Sequence, residues 1–285
     1  MATAKEIRGQ IKAVQNTAKI TKAMELVAAS KMRKAQDRVL AGRAYAEGIL
    51  RVIGNLMQAH PEYRHPFIVA REQVKKIGVI VVTTDKGLCG GLNTNALKKA
   101  LDLVKQSDVE VEAYTIGRKG GLFMRKCVRE LPAATDDIPD AVELKDVMGV
   151  VGVAMDRYLS GEVDRVYLVY SEFVNTMTQR AKCTQLLPCL EAEEPSHPGY
   201  WDYIYEPDSK SALDALLRRY VESLVYHAVV ENKACEHSAR MVAMKSATDN
   251  AKGIVRELKI TYNKARQASI TQEIAEICSG AAASA

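Results

Sequence analysis

The chain has 285 residues, 47% of them apolar, with only three Phe and one Trp, which predicts one modest globular core and not two. Its net charge is +5, no apolar leader opens it, and no run nears the roughly 20 apolar residues of a membrane span, so the expectation is a soluble, cytosol-facing protein. Six cysteines scattered without a CxxC pair argue for reduced, mostly buried thiols and against a metal site.

No proline occurs before Pro61 and none after Pro207, so all eight lie in the middle of the chain. The first sixty residues therefore read as one long helix, far beyond the usual length of about 11 to 12, and such a helix needs support from outside a globular core. Alternate steps of four and three from Ile7 give Ile11, Val14, Ala18, Thr21, Glu25, Ala28, Met32, Ala35, Val39, Gly42, Ala46, Ile49, Ile53 and Leu56. That stripe is a coiled-coil seam, thin at its centre where Thr21, Glu25 and several alanines stand. Met24, Leu26 and Val27 lie off the stripe and predict a different partner.

In the middle, Lys75 to Thr84 is a β-branched run, a strand buried on both faces. The loop Asp85-Lys86-Gly87-Leu88-Cys89-Gly90-Gly91-Leu92-Asn93 follows, then a helix to Lys105. Val109 to Ile116 reads as strand, Gly117 to Gly121 as turn, Leu122 to Glu130 as helix, Ala141 to Leu159 as helix, and Arg165 to Tyr170 and Ala181 to Leu190 as strands. Alternation of this kind makes a sheet flanked by helices. A strand, a glycine-rich turn and a helix start are what cradle a phosphate. Here, however, the loop matches neither GxxxxGK[ST] nor GxGxxG, and Lys86 precedes the glycines where a phosphate-loop lysine would follow them. A tight turn beside the sheet explains the glycines better. The five histidines (His60, His65, His197, His227, His237) lie near no nucleophile motif and at no ligand spacing. Glu191 to Glu194 reads as a solvated loop.

The C-terminal segment carries a second stripe, Met244, Ala251, Val255, Leu258, Tyr262 and Ala265, then changes register through Ile270, Ile274 and Ile277. The two ends can pair antiparallel, giving helices over 1–60 and 208–285 and an α/β domain over 61–207. A helix of fifty residues reaches roughly 75 Å at about 1.5 Å per residue, so the expected molecule is a rod with a knob. Both helices are basic: Met1 to Arg43 holds ten Lys or Arg against three acids, and Lys233 to Arg266 holds eight against three. This implies an acidic partner surface, and the off-stripe apolar residues favour protein over a phosphate backbone. Two other classes compete, a basic helical arm that binds RNA, as in some aminoacyl-tRNA synthetases, and a small nucleotide enzyme built on the Gly87 to Gly91 loop. An arm made from the chain's own termini has free ends at its tip, and the enzyme lacks a catalytic set.

Three segments, IRGQIKAVQNTAKITKAMELVAASKMRKAQ (Ile7 to Gln36), TTDKGLCGGLN (Thr83 to Asn93) and EHSARMVAMKSATDNAKGIVRELKITYNKARQASITQEIAEICSGA (Glu236 to Ala281), together resemble the γ subunit of F-type ATP synthase. The resemblance implies an α+β/α/β fold: a long antiparallel coiled coil of the terminal helices plus a Rossmann-like α/β domain. It also implies a rotor shaft seated in a hexamer of α and β subunits, resting on the membrane c-ring, with an ε subunit beside it. Proton-driven rotation of the ring would turn the shaft, which does no bond chemistry and needs no cofactor or metal. Residue by residue, Lys22 and Met24 in KITKAMELVAASK and Arg266 and Gln267 in NKARQ are implied hexamer contacts. Asp85, Lys86, Gly87, Cys89, Gly90 and Gly91 match the globular-domain motif near the base of the shaft, and Tyr205, Glu206 and Asp208 match a foot against the c-ring. No transit peptide precedes Ile7 and no loop with paired cysteines is inserted. The implied setting is the cytoplasmic face of a bacterial inner membrane, reached through the c-ring, with no nucleic acid partner.

Overall fold

The structure, a computed structural model, describes residues 4–59, 65–189 and 209–283. The β-branched run after Lys75 forms β1 (Lys76–Val82), whose residues from Ile77 onward are all buried. It is the centre of a five-stranded sheet in the order β3-β2-β1-β4-β5. β2 (Glu110–Ile116) and β4 (Arg165–Phe173) flank β1, both parallel to it. β3 (Glu130–Thr135) adds in parallel to β2, and β5 (Gln179–Leu187) closes the other edge antiparallel to β4. The crossovers are α2 (Leu92–Gln106), α3 (Arg118–Met124) and α4 (Lys145–Leu159). α1 (Ala4–Ala59) and α5 (Ser209–Ala283) precede and follow them.

Because side chains alternate along a strand, β1 feeds two cores. Ile77, Val79 and Val81 join Ala100 and Met124 on one face. Ile80 and Val82 join Tyr114, Val147, Val151, Leu217 and Val225 on the other, where α4 and α5 pack. A parallel sheet covered on both faces explains the unbroken apolar run that marks β1 in the sequence.

The chain divides into two compact units: Ala29–Arg240, which holds the sheet, and Met1–Ala28 with Met241–Ala285. In the second unit, Thr21 and Thr248 share a hydrogen bond of 2.7 Å between their hydroxyls, both buried. Outward from it α1 steps back through Ala18, Val14, Ile11 and Ile7, and α5 steps forward through Ala251, Val255, Leu258 and Tyr262, all buried or half-buried. The steps of three and four coincide only if the helices run antiparallel. One further step brings Ala265 level with Ala4, the start of α1, and residues 266–279 beyond it are exposed. Ile270, Ile274 and Ile277, 47%, 56% and 71% exposed, thus continue the periodicity without burial in this chain.

The sheet strands differ from the sequence reading by a few residues at their ends, β4 running on to Phe173 and β5 spanning Gln179–Leu187, and larger departures occur around α3, β3 and α4. Gly117 alone turns, at φ +102°, and the helix starts at Arg118 and ends at Met124 where a turn and then a helix to Glu130 were expected. Close approach is the reason: a Cβ on Gly120 would lie 2.8 Å from the Thr83 hydroxyl, which accepts a hydrogen bond from the Gly120 N–H. β3 is an additional strand, an edge strand that tolerates Pro132. α4 begins at Lys145 and not at Ala141.

Candidate functional site

The loop after β1 is held mostly by its own side chains. Asn93 accepts from the Thr84 N–H at 3.1 Å and donates to the Thr84 hydroxyl at 2.7 Å, and that hydroxyl donates to the Lys86 carbonyl at 2.6 Å. Leu88 at φ +63° and Gly90 at φ +59° make the reversals, Gly91 precedes the first turn of α2, and Lys86 points to solvent. Asp85 turns the other way: its carboxylate accepts from the backbone N–H groups of Arg118 at 2.9 Å and Ile138 at 3.0 Å. The place where an anion would meet the start of α3 is therefore taken by the protein's own carboxylate.

Strand order reverses between β1 and β4, the crevice where an open α/β sheet usually receives a ligand. Here α5 fills it. Glu231 accepts from the Phe173 N–H at 3.0 Å, the Cys235 thiol donates to the Ser171 carbonyl at 3.2 Å, and the Ser238 hydroxyl donates to the Thr176 carbonyl at 2.6 Å. Arg240 reaches the Gly87 carbonyl at 3.2 Å and is anchored on Glu236 at 2.7 Å. Lys233 donates to the Ile138 carbonyl at 2.9 Å and lies 3.9 Å from Asp85. Asp140 gathers Lys31 at 2.6 Å and His237 at 3.3 Å. Residues 228–238 of α5 are buried without a break, so the helix is enclosed on all its faces.

Electrostatics make this junction inert. Burial pushes the thiols of Cys89 and Cys235 up, so both stay protonated and poorly nucleophilic. Burial likewise lowers His237 and favours its neutral ring. For Asp140 burial works in the opposite direction, yet Lys31 and Lys233 hold its carboxyl below the usual range. All six thiols are free, Cys89 and Cys235 being buried and Cys278 exposed. Among the described residues no three His, Cys, Asp or Glu side chains are grouped to hold a metal ion.

In the helical unit, Lys22 pairs with Glu25 at 2.8 Å and Met24 is half-buried, while Ile20, Leu26 and Val27 are 61%, 60% and 55% exposed. Arg266 and Gln267 are exposed on α5 just past the end of the seam. By the antiparallel register Lys22 lies level with residue 247, about five helical turns from Arg266, so the fold does not bring the two groups together. Tyr205, Glu206 and Asp208, like Glu191 to Glu194, lie outside the described residues. The loop residues Asp85, Lys86, Gly87, Cys89, Gly90 and Gly91 are gathered, and the α5 residues that meet them, Lys233, Cys235 and Arg240, with Glu236 anchoring Arg240, are what sequence reasoning did not single out. The available signal was polar and charged side chains on every face of one helical stretch, a pattern no solvated amphipathic helix shows.

Comparison with known proteins bears on this geometry. A family model described as ATP synthase matches residues 3–283. The ATP synthase gamma chain of Thiobacillus denitrificans is 54% identical over 99% of this chain and 100% of its own length. That of Acidithiobacillus ferrooxidans is 56% identical, also over 99% and 100%. Among solved structures, the rotor of the Euglena gracilis mitochondrial ATP synthase superposes with a TM-score of 0.65 at 19% identity, covering 94% of this chain and 98% of that one. The central stalk and c-ring structure of Tetrahymena thermophila gives 0.61 at 23% identity, covering 80% and 99%.

Proposed function

We propose a mechanical function from the premise that this chain belongs to the ATP synthase gamma-chain family. It is the central-stalk rotor subunit of the F1Fo ATP synthase, and it couples rotation of the c-ring to the α and β subunits that make or hydrolyse ATP. The chain catalyses nothing by itself. The observation that carries this reading is the uncovered end of α5: fourteen consecutive exposed residues, 266–279, with an isoleucine stripe that no described part of the chain buries. A helical segment of that length is marginal in water without packing partners, so a surrounding protein has to supply them. The filled crevice between β1 and β4 fits the same reading, because α5 and not a nucleotide occupies the place where the strand order reverses.

On this reading the chain can favour one conformation of a catalytic site only by binding it better than another. Lys22, Met24, Arg266 and Gln267 meet the hexamer. The Asp85 to Gly91 motif fixes the α/β domain to α5 near the base of the shaft. Tyr205, Glu206 and Asp208 stand against the c-ring, and an ε subunit binds alongside. The functional division is 1–60 and 208–285 for the shaft and 61–207 for the globular domain. No helix among the described residues is long and apolar enough to cross a membrane. On the proposed reading, attachment runs through the c-ring at the cytoplasmic face of a bacterial inner membrane. Co-purification of the tagged chain from its own membranes tests this. Recovery with α, β, ε and c subunits is expected, and recovery of RNA without them would overturn it.

A further inference from the structure

While the crevice between β1 and β4 is filled, a neighbouring one at the carboxyl ends of β2 and β3 is open. It is a cavity of about 180 Å³ lined by Thr115, Gly121, Arg118, Arg125, Thr135 and Asp136 among others. Its floor holds an anomaly. Thr115 is fully buried, and among the described residues its hydroxyl has no hydrogen-bond partner. A buried hydroxyl left unpaired is destabilising, so such a group calls for an explanation. Gly121 stands over it, and a Cβ there would come within 3.3 Å of the hydroxyl oxygen; glycine keeps this side of Thr115 clear.

Two guanidinium groups, Arg118 and Arg125, and one carboxylate, Asp136, line the cavity, and Lys119, Lys126 and Arg129 are further exposed cations nearby in sequence. Among the described residues only Arg118 has an acidic neighbour, Asp136, at a loose 3.7 Å with both side chains more than half exposed. Arg125 makes no ion pair among the described residues, although Asp136 lines the same cavity. The backbone N–H groups at the start of α3 are already used by Asp85, Thr84 and Thr83, so an incoming group would meet side chains and not the helix end. We propose that this cavity is a binding site for a small oxyanion, a phosphate or phosphate monoester group, held by the guanidinium groups of Arg118 and Arg125 with the Thr115 hydroxyl donating from below. Planar guanidinium forks match the oxygens of such a group, and a hydroxyl completes its hydrogen bonding. The volume suits a phosphate group and is smaller than the about 300 to 1,000 Å³ of sites that enclose drug-sized ligands.

The test uses the full chain, purified away from the nucleotide-binding subunits, in equilibrium dialysis with radiolabelled inorganic phosphate. Saturable millimolar binding is expected, weakened about tenfold or more in Arg125→Ala, weakened in Thr115→Val, and unchanged in Arg129→Ala, which leaves the cavity intact. Thr115→Val also raises the melting temperature if it folds as the parent does, which separates lost binding from lost structure. A second arm uses vesicles of phosphatidylcholine with one-third phosphatidylglycerol. Vesicle binding that free phosphate displaces assigns the site to a lipid headgroup, and phosphate binding without vesicle binding assigns it to the free ion. No saturable phosphate binding, equal loss in Arg129→Ala and Arg125→Ala, or vesicle binding indifferent to phosphate would each overturn the proposal. None of these outcomes bears on the rotor function, which co-purification tests separately.

Discussion

The Thr21–Thr248 pair offers a quantitative test of the seam. Each hydroxyl keeps an acceptor on its own helix, the Ala18 carbonyl at 3.2 Å for Thr21 and the Met244 carbonyl at 2.8 Å for Thr248. Replacing one threonine by valine therefore strands no buried donor; it removes the shared bond, a net loss of about 1 kcal/mol. Replacing both removes the same bond once and places two methyl groups against each other. The double variant should then lie within about 1 kcal/mol of the parent, on the stable side if the methyl groups pack, giving a coupling energy of about 1 to 2 kcal/mol. The readout is amide hydrogen exchange at residues 14–28 and 244–258 in the full chain. Each single variant should speed exchange there about fivefold, and the double variant should restore it to near the parent rate. If the double variant exchanges as fast as the two single effects multiplied, the hydroxyls do not interact and the antiparallel register drawn from them is wrong.

Gly117→Ala should abolish soluble expression: at φ +102° its new Cβ would sit 2.3 Å from the Thr83 carbonyl oxygen, a loss beyond about 4 kcal/mol, whereas Gly90→Ala, at φ +59° with open space around it, should lose only about 1 to 2 in chemical denaturation. Ile49→Asp buries an unpaired charge in the core beside the sheet and should be several kcal/mol less stable by the same measurement, with exposed Lys34→Ala within about 0.5 kcal/mol of the parent. Burial pulls Asp164 upward, but Arg71 at 2.9 Å and the N–H groups of Lys75 and Lys76 outweigh it and hold the carboxyl below the usual range. Its stabilisation is thus present above the unfolded pKa and lost as pH falls through the folded one, so the urea midpoint of Asp164→Asn should lie below that of the parent at neutral pH and converge with it in acid. Arg266→Ala should assemble with normal helicity yet lose a charge-assisted contact of about 1.5 to 3 kcal/mol. ATP-driven proton pumping should then fall relative to ATPase rate in membranes carrying it, and unchanged values of both would remove Arg266 from the hexamer contacts.

Local periodicity made much of this fold legible. The four-and-three stepping from Ile7 selects Ala28, Met32, Ala35, Val39 and Ile49, all buried, because a helix seam repeats within a few residues. β1 declares itself through a β-branched run. β3 did not, since Glu-Leu-Pro-Ala-Ala-Thr has a proline and small side chains and takes its strand geometry from pairing with β2. The start of α3 was hidden for a related reason: Gly120 and Gly121 read as turn residues, yet they serve close packing on Thr83 and Thr115. At the candidate site the glycine motif was visible but its partner was not. Arg240 meets Gly87 across 153 residues of sequence, and such a contact leaves no periodic trace. The exposure of Ile270, Ile274 and Ile277 could not be read either, because their spacing is that of a buried stripe; only the structure shows that no described part of the chain packs on them.

A helix that packs on one face can roll in its groove when twisted, exchanging one set of contacts for another. The stretch of α5 from residue 228 to 238, buried on every side and tied by hydrogen bonds at Glu231, Lys233, Cys235 and Ser238, has no such freedom. It is keyed into its seat as an axle is keyed into a hub. Torque applied to α5 from either direction cannot slip there; it must be stored as angular strain in the helical backbone outside the keyed stretch, or be passed on.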